Sequence, residues 1–508
     1  MTLYRESFLY RLWRMLYAAY HESALHRLFV RAGEWCGGQI DTSALLRPLC
    51  REGYVARGWA DSLLCRLLTF LANIPITLLH ALYRFLQPTF EDSFFARLAF
   101  AVGEETAVVQ SWLIMLLWCI PYEYWNNAYT LMGFVFLLLL FCAGAMRHET
   151  YRLDVKTIGF YPLALFGAMF LGVAFSYTRS QSTRFLVYHI AAALCVLVTV
   201  SAVRTARDLK RLAAGGSVCV AVSSLYAVMQ RAQGLEVNKS YVDLKLNADM
   251  PSRVMSFFDN PNAYAEVLML LLPLTIALVL CSKSTLGKLA AFGAMALGMI
   301  ALGMTYGRAS WIGFACAMAV MVFLWRPRLM PLFFLLCLAA VPFLPASIWN
   351  RILTITNMED TSTASRIPLY ETALKIIKRS PVAGAGLGTA AVQSFVKRYR
   401  LYWGRAPFVH AHNIYLQVWI EAGFLGLVGF VSAMLWNIKR AAHTVRHCGS
   451  SEARTLTCGA AAALCGAMVC GLADYLWNYP RVMCIFWFVF AMALTGTRLC
   501  AAGEEREP

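Results

Sequence analysis

Long apolar stretches, each about as long as a membrane is thick, recur along most of this sequence and limit the folds it can adopt. A helix needs roughly 20 mostly apolar residues to cross the hydrocarbon core of a bilayer, and such stretches follow one another from about residue 107 onward. Hydrophobic residues make up 59% of the 508 residues and charged residues only 14%, which is too apolar for a soluble chain of this length. The sequence therefore predicts an all-α, polytopic bundle of membrane helices.

Short polar connections divide the apolar part of the chain into about twelve predicted spans. Their expected bounds are 107–121, 127–146, 157–175, 185–203, 212–230, 262–281, 288–305, 309–325, 329–345, 413–436, 456–473 and 482–499. Connections on one side, such as MRHETYRLDVK, VRTARDLKR and WRPR, are consistently basic. Because cytoplasmic connections are enriched in Lys and Arg, these connections and the N-terminus are expected on the cytoplasmic side. The net charge of +17 then reflects multi-pass topology in the cytoplasmic membrane, with lipid contact, and no nucleic-acid partner is expected.

The first part of the chain, residues 1–105, is less membrane-like than the rest. It contains Arg-rich stretches with helical hydrophobic spacing, such as LYRLWRMLYAAYHESALHRLF, which predict a cytoplasmic or interfacial amphipathic extension. Segment 67–83 is nearly long enough to span, but it contains Pro75 and His80, so an interfacial position is favoured over a span. A membrane domain is predicted over 106–500 and a short cytoplasmic tail over 501–508.

The longest outer connection, residues 346–412, carries an excess of positive charge on the side where positive charge is usually sparse. Its basic residues are Arg351, Arg366, Lys375, Lys378, Arg379, Lys397, Arg398, Arg400 and Arg405, against the acidic residues Glu359, Asp360 and Glu371. Such a loop is expected to meet an anion, and contact with anionic lipid headgroups remains an equally open explanation.

Within this loop, segment 365–379 predicts an amphipathic helix that lies on the outer leaflet. Its expected apolar face consists of Ile367, Tyr370, Leu374 and Ile377. The closely spaced glycines of the following PVAGAGLG have no preceding strand and no βαβ pattern around them. A flexible turn is therefore favoured over a phosphate-binding loop.

Histidine and arginine residues at the outer ends of the spans are the candidates for chemistry. His410 and His412 share the stretch FVHAHNIYL, where such a pair is more often a polar interfacial feature than a catalyst. Their spacing would also suit a metal, but no third ligand stands nearby in the sequence. Arg253 precedes one span and Arg308 lies in a tight turn between two others. Each guanidinium could snorkel towards water or point its donors at a phosphate.

Three stretches together resemble the O-antigen ligase and O-antigen polymerase superfamily over about residues 250–435. They are SRVMSFFDNPNAYAEVL, TYGRASWIG, and SRIPLYETALKIIKRSPVAGAGLG followed by HAHNIYLQVWIEAGFLGLVGF. The resemblance implies a membrane glycosyltransferase of cell-surface polysaccharide biosynthesis. Its donor would be a glycan linked to undecaprenyl pyrophosphate, which is transferred outside the cytoplasm to a lipid, protein or glycan acceptor. Ligase and polymerase remain equally open, because both need the same donor pocket.

By motif position, the resemblance implies that Arg253 and Arg308 bind the donor pyrophosphate and that His412 is the general base. The further candidates for substrate binding are Asn262, Arg366, His410 and Asn413. Two positions depart from the family pattern, since Gly307 stands where a hydroxyl residue is common and Ser256 stands where Gly is common.

The expected chemistry needs no metal and no cofactor. A neutral imidazole can take the proton of an acceptor hydroxyl as that hydroxyl attacks the anomeric carbon from the face opposite the leaving group. Fixed guanidinium groups can then stabilise the charge on the departing pyrophosphate. No outer-face DxD or other clear Mg²⁺ motif is present. Glu266 and Glu421 lie near the outer ends of spans, and a structural role is favoured for both.

A transporter or flippase for lipid-linked glycans is the main alternative, since it would also have many spans. Transporters usually place charges near the middle of the bilayer and show repeated halves, whereas these Arg and His residues cluster at one face without an internal repeat. A membrane O-acyltransferase is less favoured, because its His would be expected inside an apolar span.

Overall fold

The computed structural model describes residues 8–24, 26–28, 30–31, 54–234, 251–353, 365–402 and 408–504. All regular structure in this part of the chain is helical, which confirms the all-α prediction. The helices before residue 235 are α1 Phe8–Glu22, α2 Tyr54–Trp59, α3 Leu63–Asp92, α4 Phe94–Glu104, α5 Thr106–Trp118, α6 Ala128–Arg147, α7 Val155–Ile158, α8 Phe160–Ala174, α9 Arg179–Ala202 and α10 Ala206–Ala232.

The remaining helices and their connections contain the segments that resemble the O-antigen ligase and polymerase superfamily. They are α11 Pro261–Cys281, α12 Thr285–Met304, α13 Arg308–Trp325, α14 Met330–Ala340, α15 Ala346–Leu353, α16 Arg366–Arg379, α17 Thr389–Tyr399, α18 Ile414–Thr444, α19 Ser451–Cys470 and α20 Pro480–Glu504. Three 3₁₀ turns accompany them, at Tyr122–Tyr124, Pro327–Leu329 and Val341–Phe343.

Ten helices of the described residues are long and apolar enough to cross a membrane: α3, α6, α9, α10, α11, α12, α13, α18, α19 and α20. Two bent pairs raise the number to twelve if each pair crosses as one unit, namely α4 with α5, bent by 79°, and Pro327–Phe343 with α15, bent by 113°. The prediction of a polytopic bundle with about twelve spans is confirmed within this range. Predicted span 157–175 corresponds to the shorter apolar helix α8.

Helices α11, α19 and α20 form the centre of the bundle. Between 78% and 89% of the residues in their most apolar windows are buried, as expected for helices that are apolar on every side. Small residues let neighbouring helices approach closely around this centre. A Cβ atom on Gly313 of α13 would lie 2.7 Å from the carbonyl oxygen of Gly466 of α19. Helices α13 and α19 are therefore in close contact at these two glycines.

Helix α18 is broken at Gly423, which has a φ of +70°. A Cβ atom there would lie 1.7 Å from the carbonyl oxygen of Val382, so only glycine fits. The backbone N–H groups of Ala385 and Gly386 donate to the carbonyls of Ile420 and Glu421, at 2.6 and 3.2 Å. The PVAGAGLG segment is the predicted turn, but it is held in place and not flexible. These hydrogen bonds attach it to the break in α18 and pair the backbone groups that the break exposes.

Helix α16 confirms the predicted helix at 365–379, and its position on the outer leaflet stays a prediction. Its buried residues are Thr372, Ala373, Ile376 and Ile377, and the last three pack against a cluster that includes α17. From the predicted apolar face, Ile367 and Leu374 are 47% and 57% exposed, as side chains that face lipid would be. The buried side of α16 packs against α18, a neighbour that hydrophobic periodicity alone does not reveal.

Helix α3 contains the segment 67–83 whose position was ambiguous in the sequence. It is long and apolar enough to span, yet its described polar contacts with the bundle lie at one end of the bundle. Asn73 donates to the carbonyl of Leu153 at 3.0 Å, and His80 lies 2.7 Å from the carbonyl of Ala145 near the end of α6. The interfacial position of α3 therefore stays a prediction, favoured by contacts with the basic connection that follows α6.

Candidate functional site

His410, His412 and Asp474 form a polar cluster beside the first turn of α18. Nδ1 of His412 lies 3.2 Å from Oδ1 of Asp474, and the two histidine rings are 4.0 Å apart between centroids. The His412 side chain is 34% exposed, whereas the Asp474 side chain is 9% exposed. Since Nδ1 faces the carboxylate, Nε2 of His412 is the ring nitrogen left to accept a proton from a bound molecule.

The start of α18 and the segment that follows α19 bring this cluster together. Asn413 caps α18 by accepting a hydrogen bond from the Leu416 N–H at 3.0 Å, and its amide donates to the carbonyl of Leu472 at 3.0 Å. The Ile414 N–H donates to the carbonyl of Gly471 at 2.8 Å, directly after α19. These three bonds fasten the start of α18 to the segment that carries Asp474.

The backbone of His412 is held in the left-handed region, with a φ of +45°. This conformation is uncommon outside glycine and asparagine and costs free energy, so neighbouring contacts must hold it. The His412 N–H donates to Nδ1 of His410 at 3.2 Å, and the Tyr370 hydroxyl of α16 donates to the His412 carbonyl at 3.4 Å. The imidazole is therefore presented in one orientation.

Burial and nearby charges keep both partners of His412, Asp474 and His410, deprotonated at neutral pH. Burial alone would raise the pKa of Asp474, but the hydrogen bond from His412 and the charges of His412 and Arg366 outweigh it and lower that pKa below its usual range. Burial lowers the pKa of His410 to about 3. At neutral pH Asp474 is therefore ionised and His410 is neutral, with its Nδ1 accepting.

A second layer of buried polar groups lies behind the histidines. Oε1 of Gln417 accepts from the Ala411 N–H at 2.8 Å, between the two histidines, and the Gln417 amide donates to Oε1 of Glu421 at 2.7 Å. The Tyr475 hydroxyl donates to the same carboxylate, 3.2 Å from each oxygen. The structural role expected for Glu421 thus consists of holding Gln417 and Tyr475, the residue next to Asp474.

Arg253 and Asn262, which lie nine residues apart in the stretch SRVMSFFDNPNAYAEVL, are in direct contact. The Arg253 guanidinium donates to the Asn262 side-chain oxygen, and its Nε donates to the carbonyl of Thr305 at 2.6 Å. Ser256, which stands where the family commonly has Gly, has a φ of +52°. Its hydroxyl donates to the carbonyl of Ser223 at 2.7 Å, and a left-handed backbone explains why glycine would suit this position.

Arg308 begins α13, directly after Gly307, and is half-buried. A Cβ atom on Gly307 would lie 3.9 Å from Nη2 of Arg253, so the Arg253 guanidinium borders the turn that carries Arg308. Two residues further on, Oγ of Ser310 lies 3.8 Å from Sγ of Cys470 at the end of α19. The two arginines and the histidine cluster therefore lie at the same end of the bundle.

Arg366, the first residue of α16, is the remaining predicted site residue. Its positive charge helps to lower the pKa of both Asp474 and His410, so it lies within electrostatic range of the cluster. Tyr370, one turn along the same helix, is within 3.5 Å of the carbonyl of Leu472. The start of α16 consequently forms one border of the candidate site.

The structure adds residues that the sequence did not single out. Asp474 supplies the third metal-capable side chain that FVHAHNIYL lacks nearby, since its ligand atom and those of His410 and His412 lie within 4.8 Å of one another. Three such ligands could hold a transition metal with an open position. Asp474 stands in the sequence only as an acidic residue between two apolar stretches, while Gln417 and Tyr475 gave no signal.

The fold and this end of the bundle define a multi-pass helical membrane protein with a histidine–carboxylate pair and half-buried arginines at the same end of the bundle. Residues 293–431 match the family model described as O-antigen ligase, a segment that includes Arg308, Arg366, His410, His412 and Asn413. A search of curated proteins found no match. Over this matched segment the chain is similar to the O-antigen ligase family, which confirms the resemblance there.

The neutral state of buried His410 predicts an acid-sensitive fold. Its pKa is about 3 in the folded chain and about 6.5 when unfolded, so between these values the unfolded chain binds the extra proton and stability falls as pH falls. At about pH 5 the folded state should lose about 2 kcal/mol from this group. Thermal unfolding in detergent should therefore depend less on pH in His410→Gln than in wild type. His443→Gln is the matched control, because His443 is exposed. An unchanged pH dependence in His410→Gln would contradict the assignment of His410 as a buried, neutral group.

Proposed function

We propose that this protein transfers or polymerises an oligosaccharide or polysaccharide linked to undecaprenyl pyrophosphate, on the outer face of the cytoplasmic membrane. The acceptor is a hydroxyl of a lipid, a protein or a growing glycan chain. The observation that carries the proposal is the His412–Asp474 pair, at 3.2 Å, at the same bundle end as Arg253 and Arg308. The O-antigen ligase match over residues 293–431 supports the reaction class.

His412 acts as the general base in this mechanism. The acceptor oxygen forms a bond to the anomeric carbon of the donor sugar while Nε2 of His412 takes the hydroxyl proton. Asp474, ionised and hydrogen-bonded at Nδ1, stabilises the imidazolium that forms and holds the ring in the required tautomer. Attack occurs from the face opposite the leaving group, so the anomeric configuration inverts.

The arginines act on the leaving group. The bond between the anomeric carbon and the pyrophosphate oxygen breaks, and its electron pair stays with the undecaprenyl pyrophosphate. Guanidinium groups are permanently charged and offer two parallel donors to a phosphate. Arg253 is held by Thr305 and Asn262, so its charge needs little reorganisation as the negative charge develops.

Precursor analysis in a deletion strain tests this proposal and separates its two forms. Wild type should restore surface glycan, whereas loss of the protein should leave lipid-linked precursor on the outer leaflet. Single repeat units would identify a polymerase, and full-length chains would identify a ligase. Precursor trapped on the cytoplasmic leaflet would instead indicate a flippase and overturn the proposal.

The proposed mechanism requires no metal, because fixed guanidinium groups carry the leaving-group charge. The transfer rate of the purified protein should be unchanged in EDTA and should not rise on addition of Mg²⁺. Since His410, His412 and Asp474 could hold a transition metal, the metal content of the active protein should be measured in the same samples. Loss of activity in EDTA that a divalent cation restores would refute the metal-independent mechanism.

A further inference from the structure

A groove along α3, distant in sequence from the matched segment, combines apolar and basic side chains. Its volume is about 440 Å³, and its lining includes Phe70, Ile74, Leu78, Asn73, Thr77 and Arg152. The three apolar residues are spaced four residues apart and so share one face of the helix. Arg152 reaches the groove from the connection between α6 and α7.

The polar side of the groove is fixed by hydrogen bonds. Nη1 of Arg152 donates to the Thr77 hydroxyl at 2.9 Å, and the Asn73 side chain both donates to and accepts from the backbone of Leu153, at 3.0 and 2.8 Å. These contacts hold Arg152 above α3 without using the second terminal nitrogen of its guanidinium group. The groove is therefore preformed around a cation.

Arg152 differs from the arginines around it. Arg147 forms ion pairs with Glu91 and Glu104, and Arg84 lies 4.0 Å from Glu149. Among the residues that the structure describes, no carboxylate lies within ion-pair distance of Arg152, which is exposed. A guanidinium in this setting attracts an anionic ligand.

The apolar side of the groove continues into a long exposed stripe on α3. Its large residues with at least 43% of their surface exposed are Leu63, Leu64, Leu67, Phe70, Leu71, Leu78, Leu82 and Phe85. A stripe of this kind on the surface of a membrane protein faces lipid acyl chains. The same groove thus offers a phosphate site at Arg152 and an apolar track beside it.

We propose that this groove binds one anionic phospholipid of the surrounding membrane. The lipid phosphate accepts from the Arg152 guanidinium, and one acyl chain lies along Phe70, Ile74 and Leu78. The connection that carries Arg152 is among the basic connections assigned to the cytoplasmic side, where pockets of this kind bind anionic headgroups. The bound lipid would anchor α3 against the end of α6, independently of the transfer reaction.

Native mass spectrometry of the full chain in detergent tests the site. Phosphatidylglycerol should bind wild type more tightly than phosphatidylcholine, and Arg152→Gln should weaken phosphatidylglycerol binding about tenfold, as expected for one charge-assisted contact. Lys156→Gln is the matched control, since Lys156 is an exposed cation four residues further along, in α7. Thermal unfolding of each variant without added lipid checks that the fold is retained.

Two outcomes would overturn the proposal. Equal phosphatidylglycerol affinity in wild type and Arg152→Gln would exclude Arg152 as the headgroup contact. Displacement of the lipid by soluble glycerol phosphate at matched concentration would show a site for free anions without an acyl-chain track. Retained binding in Arg152→Lys, with loss in Leu78→Ser, supports both halves of the site.

Discussion

Replacing His412 with Asn is expected to lower the transfer rate about 10²–10⁴-fold, the usual contribution of a positioned general base. Asn is preferred over Ala because it tolerates the left-handed backbone that His412 adopts, with a φ of +45°. The variant therefore removes the base while disturbing the loop least. The measurement is the initial rate with a defined lipid-linked donor and acceptor, in membranes that contain matched amounts of protein.

His443→Asn is the control for this substitution. His443 lies in the last turn of the same helix α18, is exposed and belongs to the opposite end of the bundle, so its replacement should leave the rate unchanged. A wild-type rate in His412→Asn would exclude His412 as the base. Asp474→Asn should also reduce the rate, since it removes the negative charge that stabilises the imidazolium.

Replacing Arg308 with Ala is expected to lower the transfer rate about 10²–10³-fold, as does the loss of one fixed donor to a developing negative charge. Arg308→Lys should recover only part of the rate, because an ammonium group cannot donate two parallel hydrogen bonds to a phosphate. The decrease should appear mainly in kcat if the contact forms on the departing pyrophosphate, and in KM if it forms equally in the bound donor.

Arg326→Ala provides the matched control for Arg308. Arg326 follows the last residue of the same helix α13, is exposed and stacks on Trp325, so its loss tests for general effects on α13. An Arg308→Ala protein with the wild-type rate and KM would remove Arg308 from the proposed donor site. If Arg253→Ala also kept the wild-type rate and KM, neither arginine would remain assigned to the leaving group.

The candidate site was only partly predictable from the sequence. The family resemblance of HAHNIYLQVWIEAGFLGLVGF and TYGRASWIG pointed to His412 and Arg308. Taken without the resemblance, the histidine pair of FVHAHNIYL favoured a polar interfacial feature. The partner of His412 could not be found this way, because Asp474 lies 62 residues further along the chain. Gln417 looked like an ordinary residue within an apolar helix, although its side chain braces the histidine loop.

The sequence by itself determined that the chain is an all-helical, multi-pass membrane protein with its candidate arginines and histidines near helix ends. Hydropathy, helix capping and hydrophobic period are local properties, so short windows of residues reveal them. The tertiary structure alone decided which face of α16 is buried, how the glycine-rich turn fills the break in α18, and that Asp474 meets His412. These features depend on the close packing of helices that are distant in the sequence, as at Gly313 and Gly466. Such packing does not change the hydrophobic period of either helix, so the sequence pattern does not reveal it.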